Sequence, residues 1–179
     1  PPYHRALPKQ VQAMKPDITF VIYDDTTKLN SPVLNATTDA ATIAFATFLT
    51  PIIFCRNNSR FVILDEFYPK PSTPTGMAIS LQKRLMKNQP ADDLKGTIES
   101  YQEKYANFFT RLDQMKFPNL IRHNTSAAMC AEEKGWCWWY NRKNLHSYFT
   151  DNIHLTDDGL ELLRESYTKV LEEVIQRID

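Results

Sequence analysis

The most informative spacing in the chain lies in Ser147-Tyr148-Phe149-Thr150-Asp151-Asn152-Ile153-His154-Leu155-Thr156-Asp157-Asp158-Gly159-Leu160. Asp151 and His154 are three residues apart, in a loop directly before an apolar stripe that reads as a helix. That spacing lets a carboxylate fold back on an imidazole and hold one ring nitrogen, leaving the other to face outward as a base. An imidazole oriented in this way takes a proton from a hydroxyl nucleophile and returns it to a leaving group. An Asp and a His beside a helix N-terminus are also ordinary surface residues, so D-x-x-H alone does not establish a relay.

Such a pair needs a scaffold, and the rest of the chain supplies one. Ile18-Thr19-Phe20-Val21-Ile22-Tyr23 is short, apolar and β-branched, and ends at Asp24-Asp25; it predicts a buried strand, preceded by a helix or turn around Pro8 to Met14. Residues Thr37 to Thr50 read as a helix stopped by Pro51. A second buried strand is expected within Arg60 to Phe67, and Pro69, Pro71 and Pro74 then make a loop on the active face. Met77 to Lys87 reads as a helix. Ile98, Tyr101, Tyr105, Phe108, Leu112 and Met115 alternate spacings of three and four, one face of a helix over Thr97 to Lys116. Leu120-Ile121-Arg122 predicts a short third strand, and residues 124 to 150 read as irregular. The last helix is expected from Asp157 to Ile178, capped by Thr156, with Leu160, Leu163, Tyr167, Val170, Leu171, Val174 and Ile178 as its buried stripe. Strands separated by helices, with continuous rather than alternating apolar runs, predict an α/β three-layer sandwich around a mainly parallel sheet.

Composition narrows the function. The 179 residues are 42% hydrophobic and 23% charged, a globular balance. Lysine plus arginine equals aspartate plus glutamate at 21 each, so no surplus of positive charge exists to grip nucleic acid. Only 4 glycines occur, with no GxGxxG or P-loop pattern, and no cofactor is implied. The longest uncharged stretch, Ala40 to Cys55, is interrupted by Thr42, Thr47, Thr50 and Pro51 and is shorter than the roughly 20 apolar residues of a membrane span. The chain begins Pro1-Pro2-Tyr3, without methionine or a secretory pattern, and reads as a piece of a longer product.

D-x-x-H-L-T-x-x-G, followed by an apolar helix at the end of an α/β chain, resembles the last block of the SGNH hydrolase family. Lys15-Pro16-Asp17 with its apolar run resembles the strand leading to the family's third block, and Phe61 to Asp65 followed by prolines resembles the next strand. Cys130 and Cys137, with the aromatics between them and D-x-x-H, resemble the SGNH domains fused behind acyltransferase-3 membrane domains, in the version found in nematode acyltransferases. The resemblance implies a flavodoxin-like SGNH fold, a serine nucleophile after the first strand, and an oxyanion hole from a glycine, an asparagine and the serine's amide. It implies that Asp151 orients and His154 is the base.

The sequence also departs from that pattern. No G-D-S occurs, and none of the eight serines (Ser31, Ser59, Ser72, Ser80, Ser100, Ser126, Ser147 and Ser166) sits between a strand and a helix near the start. The expectation is a single SGNH-like domain over 1–179, truncated at its N-terminal side and lacking the nucleophile block. A sheet without its first central strand exposes unpaired edges, which predicts marginal stability. Tyr23-Asp24-Asp25 stands where the oxyanion asparagine should be. A carboxylate there repels a developing oxyanion, and Asp24 and Asp25 read more simply as solvated turn residues.

Cys130 and Cys137 enclose six residues and form either a disulfide or free thiols; two thiolates without two nearby partners make a poor metal site. Cys55 is left over, either buried or paired upstream. Three N-x-S/T sequons, at Asn35, Asn57 and Asn124, together with the cysteine pair lean toward a lumenal or extracellular location. Trp136, Trp138, Trp139 and Tyr140 form an aromatic patch that either lines an acyl or sugar pocket or packs the last loop onto the sheet.

Three functional readings follow. In the first, the chain belongs to an acyl-ester transferase or hydrolase whose membrane part, upstream, delivers an acyl group to a hydroxyl acceptor, often on a carbohydrate. In the second, the fold is catalytically degenerate and kept for binding or structure. In the third, D-x-x-H is accidental in an independent α/β domain. The distance between the Asp151 carboxylate and the His154 ring separates the third from the others.

Overall fold

A computed structural model describes residues 3–22, 29–33, 35, 37–55, 58–59, 61–130 and 133–178. Tyr23, Asp24, Asp25 and Asn57 lie outside the described residues, as does the side chain of Cys55. The chain divides into two compact units, Pro1–Glu66 with Lys104–His123, and Phe67–Glu103 with Asn124–Asp179.

The first unit is built on three parallel strands in the order β1-β4-β6: β1 (Ile18–Val21), β4 (Phe61–Asp65) and β6 (Leu120–His123). The central strand, Phe61-Val62-Ile63-Leu64-Asp65, is buried at all five positions, as expected of a strand covered on both faces. Its register runs Ile18↔Phe61 to Val21↔Leu64 on one side and Val62↔Leu120 to Asp65↔His123 on the other. Helix α1 (Tyr3–Met14) lies against α2 (Ala40–Ile53), and α2 lies against β4. An antiparallel pair of two-residue strands, β2 (Phe54–Cys55) and β3 (Asn58–Ser59), follows α2.

Asp39 starts α2 by accepting from the Thr42 backbone N–H at 2.7 Å and hydroxyl at 2.9 Å. The same carboxylate takes two bonds from Arg111, Nε at 2.8 Å and Nη2 at 3.0 Å. Arg111 is only 1% exposed, and its Nη1 also donates to the carbonyls of Leu29 and Ser31. These bonds, the arginine pair foremost, hold the Asp39 carboxyl well below the usual carboxylate range.

Pro51 does not stop α2, contrary to expectation. The helix continues through Ile52 and Ile53, which are 1% and 0% exposed. A proline so near the end removes only one backbone bond, and burying two isoleucines outweighs that loss. The helix expected over Thr97 to Lys116 is instead two, α4 (Ile98–Lys104) and α5 (Ala106–Leu112), entered from the short strand β5 (Lys95–Thr97). Tyr105, at φ −109° and ψ 14°, breaks the run. Its side chain and those of Tyr101, Phe108, Leu112 and Met115 are buried, so the apolar spacing is right and only the continuity is wrong.

In the second unit, α3 (Met77–Met86), the antiparallel pair β5 and β7 (Trp136–Trp138), α6 (Ser126–Met129) and α7 (Asp157–Ile178) surround a core that includes Met77, Leu81, Leu94, Trp138, Phe149 and Leu163. Residues 124 to 150 are thus less irregular than expected, since α6 and β7 fall within them. Cys130 and Cys137 are disulfide-bonded and tie the end of α6 to β7. The predicted stripe of α7 holds in its middle, at Leu163, Val170 and Val174. Leu160 and Ile178 are 57% and 48% exposed, because Gly159 takes the inward position in the first turn and the last turn runs past the core.

Candidate active site

The segment before α7 is pinned by main-chain bonds. Isolated bridges join Tyr140 to Ser147 and Phe149 to Leu155, and the Tyr148 carbonyl accepts from the Thr156 N–H at 3.0 Å. Thr156 caps α7 as expected: its hydroxyl accepts from the Gly159 N–H at 3.2 Å and donates to the Ser147 carbonyl at 2.7 Å. Phe149 is fully buried and anchors the turn from below. Gly159 follows from the same geometry. A Cβ there would lie 2.2 Å from the Tyr148 carbonyl oxygen, a backbone atom that no rotamer change can move. The glycine of D-x-x-H-L-T-x-x-G is therefore a packing requirement.

Residues Thr150 to His154 close a tight turn, with the Thr150 N–H donating to the His154 carbonyl at 2.9 Å. Inside it, the Asp151 carboxylate divides its two oxygens. Oδ1 accepts from the N–H groups of Ile153 and His154, both at 2.7 Å. Oδ2 lies 2.8 Å from His154 Nδ1. These bonds, the His154 amide foremost, hold the Asp151 carboxyl well below its ordinary range. An ionised carboxylate only accepts, so the Nδ1 proton sits between the two groups, and in the neutral ring that leaves the lone pair on Nε2. The His154 side chain is 74% exposed, and among the described residues Nε2 has no hydrogen-bond partner. The accidental reading of D-x-x-H called for a pair beyond hydrogen-bond reach, and the separation is 2.8 Å.

The proline-rich loop supports the turn from its other side. Tyr68 donates its hydroxyl to the Ile153 carbonyl at 2.8 Å. Asn152 and Thr73 exchange bonds, Asn152 Nδ2 to the Thr73 carbonyl at 2.7 Å and the Thr73 hydroxyl to Asn152 Oδ1 at 2.8 Å. The Met77 N–H donates to the Asp151 carbonyl at 3.0 Å. Gly76 adopts φ +84°, and a Cβ there would meet the Asp151 Cα at 3.2 Å, so the start of α3 sits directly against the acid. Tyr68, Thr73, Gly76 and Asn152 were not read from the sequence as site residues. The prolines that mark the loop are the signal for Tyr68, Thr73 and Gly76, and the signal for Asn152 is its place inside D-x-x-H.

Two other histidines are paired with aspartates. His146 Nδ1 lies 2.9 Å from Asp158 Oδ2 on the exposed side of the same loop. His123 Nδ1 lies 2.8 Å from Asp65 Oδ1 at the buried C-terminal ends of β6 and β4 in the first unit. Among the described residues no cluster of histidine, cysteine and acidic side chains is suited to a metal. Among the sequons, Asn35 and Asn124 are exposed, each with its side-chain oxygen accepting from the hydroxyl two positions on: Thr37 for Asn35, Ser126 for Asn124. In the aromatic patch Trp138 and Tyr140 are buried, whereas Trp136 and Trp139 are half-buried. Packing thus accounts for the first two, and the Lys95 ammonium caps the rings of Trp136 and Trp138.

The chain is similar in fold to the periplasmic domain of a Salmonella ser. Paratyphi A lipopolysaccharide acetyltransferase, at a TM-score of 0.57 and 16% identity, over 92% of this chain and 60% of that one. It therefore spans less than two thirds of that solved domain. No curated protein matches it. The family model described as the SGNH domain fused to AT3 domains matches residues 35–169, about three quarters of the length, with the D-x-x-H turn inside the match. By that match the chain belongs to the family of SGNH domains fused to AT3 domains.

Proposed function

We propose that this chain carries the acid–base pair of an O-acyltransferase or ester hydrolase, with His154 as base and then acid and Asp151 as its orienter. The observation that carries the reading is the Asp151–His154 bond at 2.8 Å, with Nε2 exposed and unpartnered among the described residues. The nucleophile is a serine from residues outside 1–179. Its hydroxyl gives its proton to His154 Nε2 as the oxygen attacks the donor's acyl carbonyl. The imidazolium passes that proton to the donor's leaving oxygen, and the acyl group stays on the serine as an ester. An acceptor hydroxyl, or water, then gives its proton to Nε2 and attacks that ester. The serine oxygen leaves and takes the proton back, so one acyl group has moved and the relay is reset. Asp151 holds Nδ1–H throughout and stabilises the transient imidazolium.

Family membership supports an upstream membrane domain as the source of the acyl group, and a carbohydrate hydroxyl fits as acceptor. The disulfide favours an oxidising location, lumenal or extracellular, as do the exposed Asn35 and Asn124 as glycosylation sites. The competing reading, a module kept for binding, draws on Tyr23-Asp24-Asp25 in place of an oxyanion asparagine. A serine-directed phosphonate probe on the full-length protein decides between them. Labelling and ester release that both disappear in His154→Ala are expected. Absence of labelling in the wild type supports the binding module.

A further inference from the structure

Beside the D-x-x-H turn, the second unit holds a cleft of about 490 Å3. Its floor and sides include the hydroxyl-bearing loop residues Ser72, Thr73 and Thr75, the α3 lysine Lys83 with Lys87 just past the helix end, and Trp139. Taking the acyl-transfer reading as given, we propose that this cleft seats the acceptor, a saccharide that carries an anionic group.

Three observations converge on that ligand. The first is charge. Lys83 and Lys87 lie four residues apart, both exposed, and neither forms an ion pair among the described residues. The third cation of the cleft, Arg84, is already committed, through two bonds of 2.6 Å to Asp93. The chain as a whole is formally neutral, so two uncompensated ammonium groups at one mouth are a local surplus. The second is the wall. Four hydroxyl side chains, Ser80 on α3 with the three of the loop, and one indole match the two kinds of surface of a sugar, whose hydroxyl edge exchanges hydrogen bonds and whose C–H face lies on an aromatic ring. The concavity and the indole favour a saccharide over a flat anionic membrane surface. The third is position. Thr73, in the cleft wall, exchanges hydrogen bonds with Asn152, the residue after Asp151, and the loop carrying Thr75 leads into Gly76, which packs on Asp151. A ring held by that wall therefore lies beside the turn that holds His154.

The test uses the full-length protein, titrated at low salt with glucose 6-phosphate, glucuronic acid, glucose and inorganic phosphate, and observed by ligand NMR or calorimetry. At least one anionic sugar is expected to bind about tenfold or more tightly than glucose and than phosphate, and which one binds tells phosphate from carboxylate. The double variant Lys83→Gln, Lys87→Gln is expected to lose that advantage, and about 0.5 M salt to weaken the wild type in parallel. Both substitutions are on exposed residues and leave good helix formers. Glucose binding as well as the anionic sugars, or a lysine variant with unchanged affinity, overturns the proposal. So does a variant that loses only attachment to vesicles of mixed phosphatidylcholine and phosphatidylserine. His154→Ala is expected to keep anionic-sugar binding while losing ester release. Lysine-dependent binding without phosphonate labelling would therefore defeat the relay and leave the cleft standing.

Discussion

Asp151→Asn isolates the part played by the carboxylate. Asparagine keeps an oxygen that can still accept from the Ile153 and His154 amides, the two bonds at 2.7 Å that shape the turn. The second arm, 2.8 Å from Nδ1, becomes an NH2 group. Two donors cannot face each other, so Nδ1 must present its lone pair and the ring proton moves to Nε2. The nitrogen needed as base is then blocked, and a loss in kcat on the order of 10⁴-fold is expected, the cost of a wrong tautomer in a serine relay. The fold should hold, with the melting midpoint within about 2 °C of wild type, because the backbone bonds survive and the pair is exposed. The assay is ester release by the full-length protein, with the melting curve as control. A kcat within tenfold of wild type at an unchanged melting midpoint would refute the orienting role. The pH profile adds a check. The Asp151 carboxyl is held below its ordinary 3.8. Its contribution to stability is thus present above that value and lost only as pH falls through the lower folded-state one. Between about pH 4 and 8 the wild-type rate should show no limb from this carboxylate.

Gly159→Ala forces a methyl group to within 2.2 Å of the Tyr148 carbonyl; thermal denaturation should show a loss of about 2 kcal/mol or more, with ester release falling as the turn shifts. Replacing Cys130 and Cys137 by alanine opens a loop of sequence separation 7 and should cost about 2.4 kcal/mol in denaturant unfolding, an amount that strong reductant should reproduce in the wild type. Arg111→Leu leaves the Leu29 and Ser31 carbonyls without their donor and should destabilise by about 3 kcal/mol, while an exposed control such as Lys169→Gln should be neutral in the same melt.

The elements most legible in the sequence are those set by local pattern. Ile18 to Val21, Phe61 to Asp65 and Asp157 to Ile178 announce themselves by apolar runs and a capping threonine, and the D-x-x-H turn closes through bonds among residues no more than four apart. What was not legible depends on distant partners. The break at Tyr105 leaves the three-four spacing intact, so periodicity cannot reveal it. Pro51 inside α2 is tolerated only because Ile52 and Ile53 find a core. Thr73, Tyr68 and Asn152 support the site through bonds across about eighty positions of chain, which no window of sequence contains. Gly159 was visible as a motif letter, but its reason, a carbonyl eleven residues away, was not.

The contact between Gly159 and the Tyr148 carbonyl is a joint without clearance, and both sides of it are main chain. No second substitution can relieve it by trimming a neighbour. Residues 147 to 160 therefore behave as a module: the helix start, the cap and the imidazole turn move together or not at all. An engineer who wishes to re-aim the imidazole must tilt the whole helix, whereas transplanting the block intact into another α/β host would carry its working angle along.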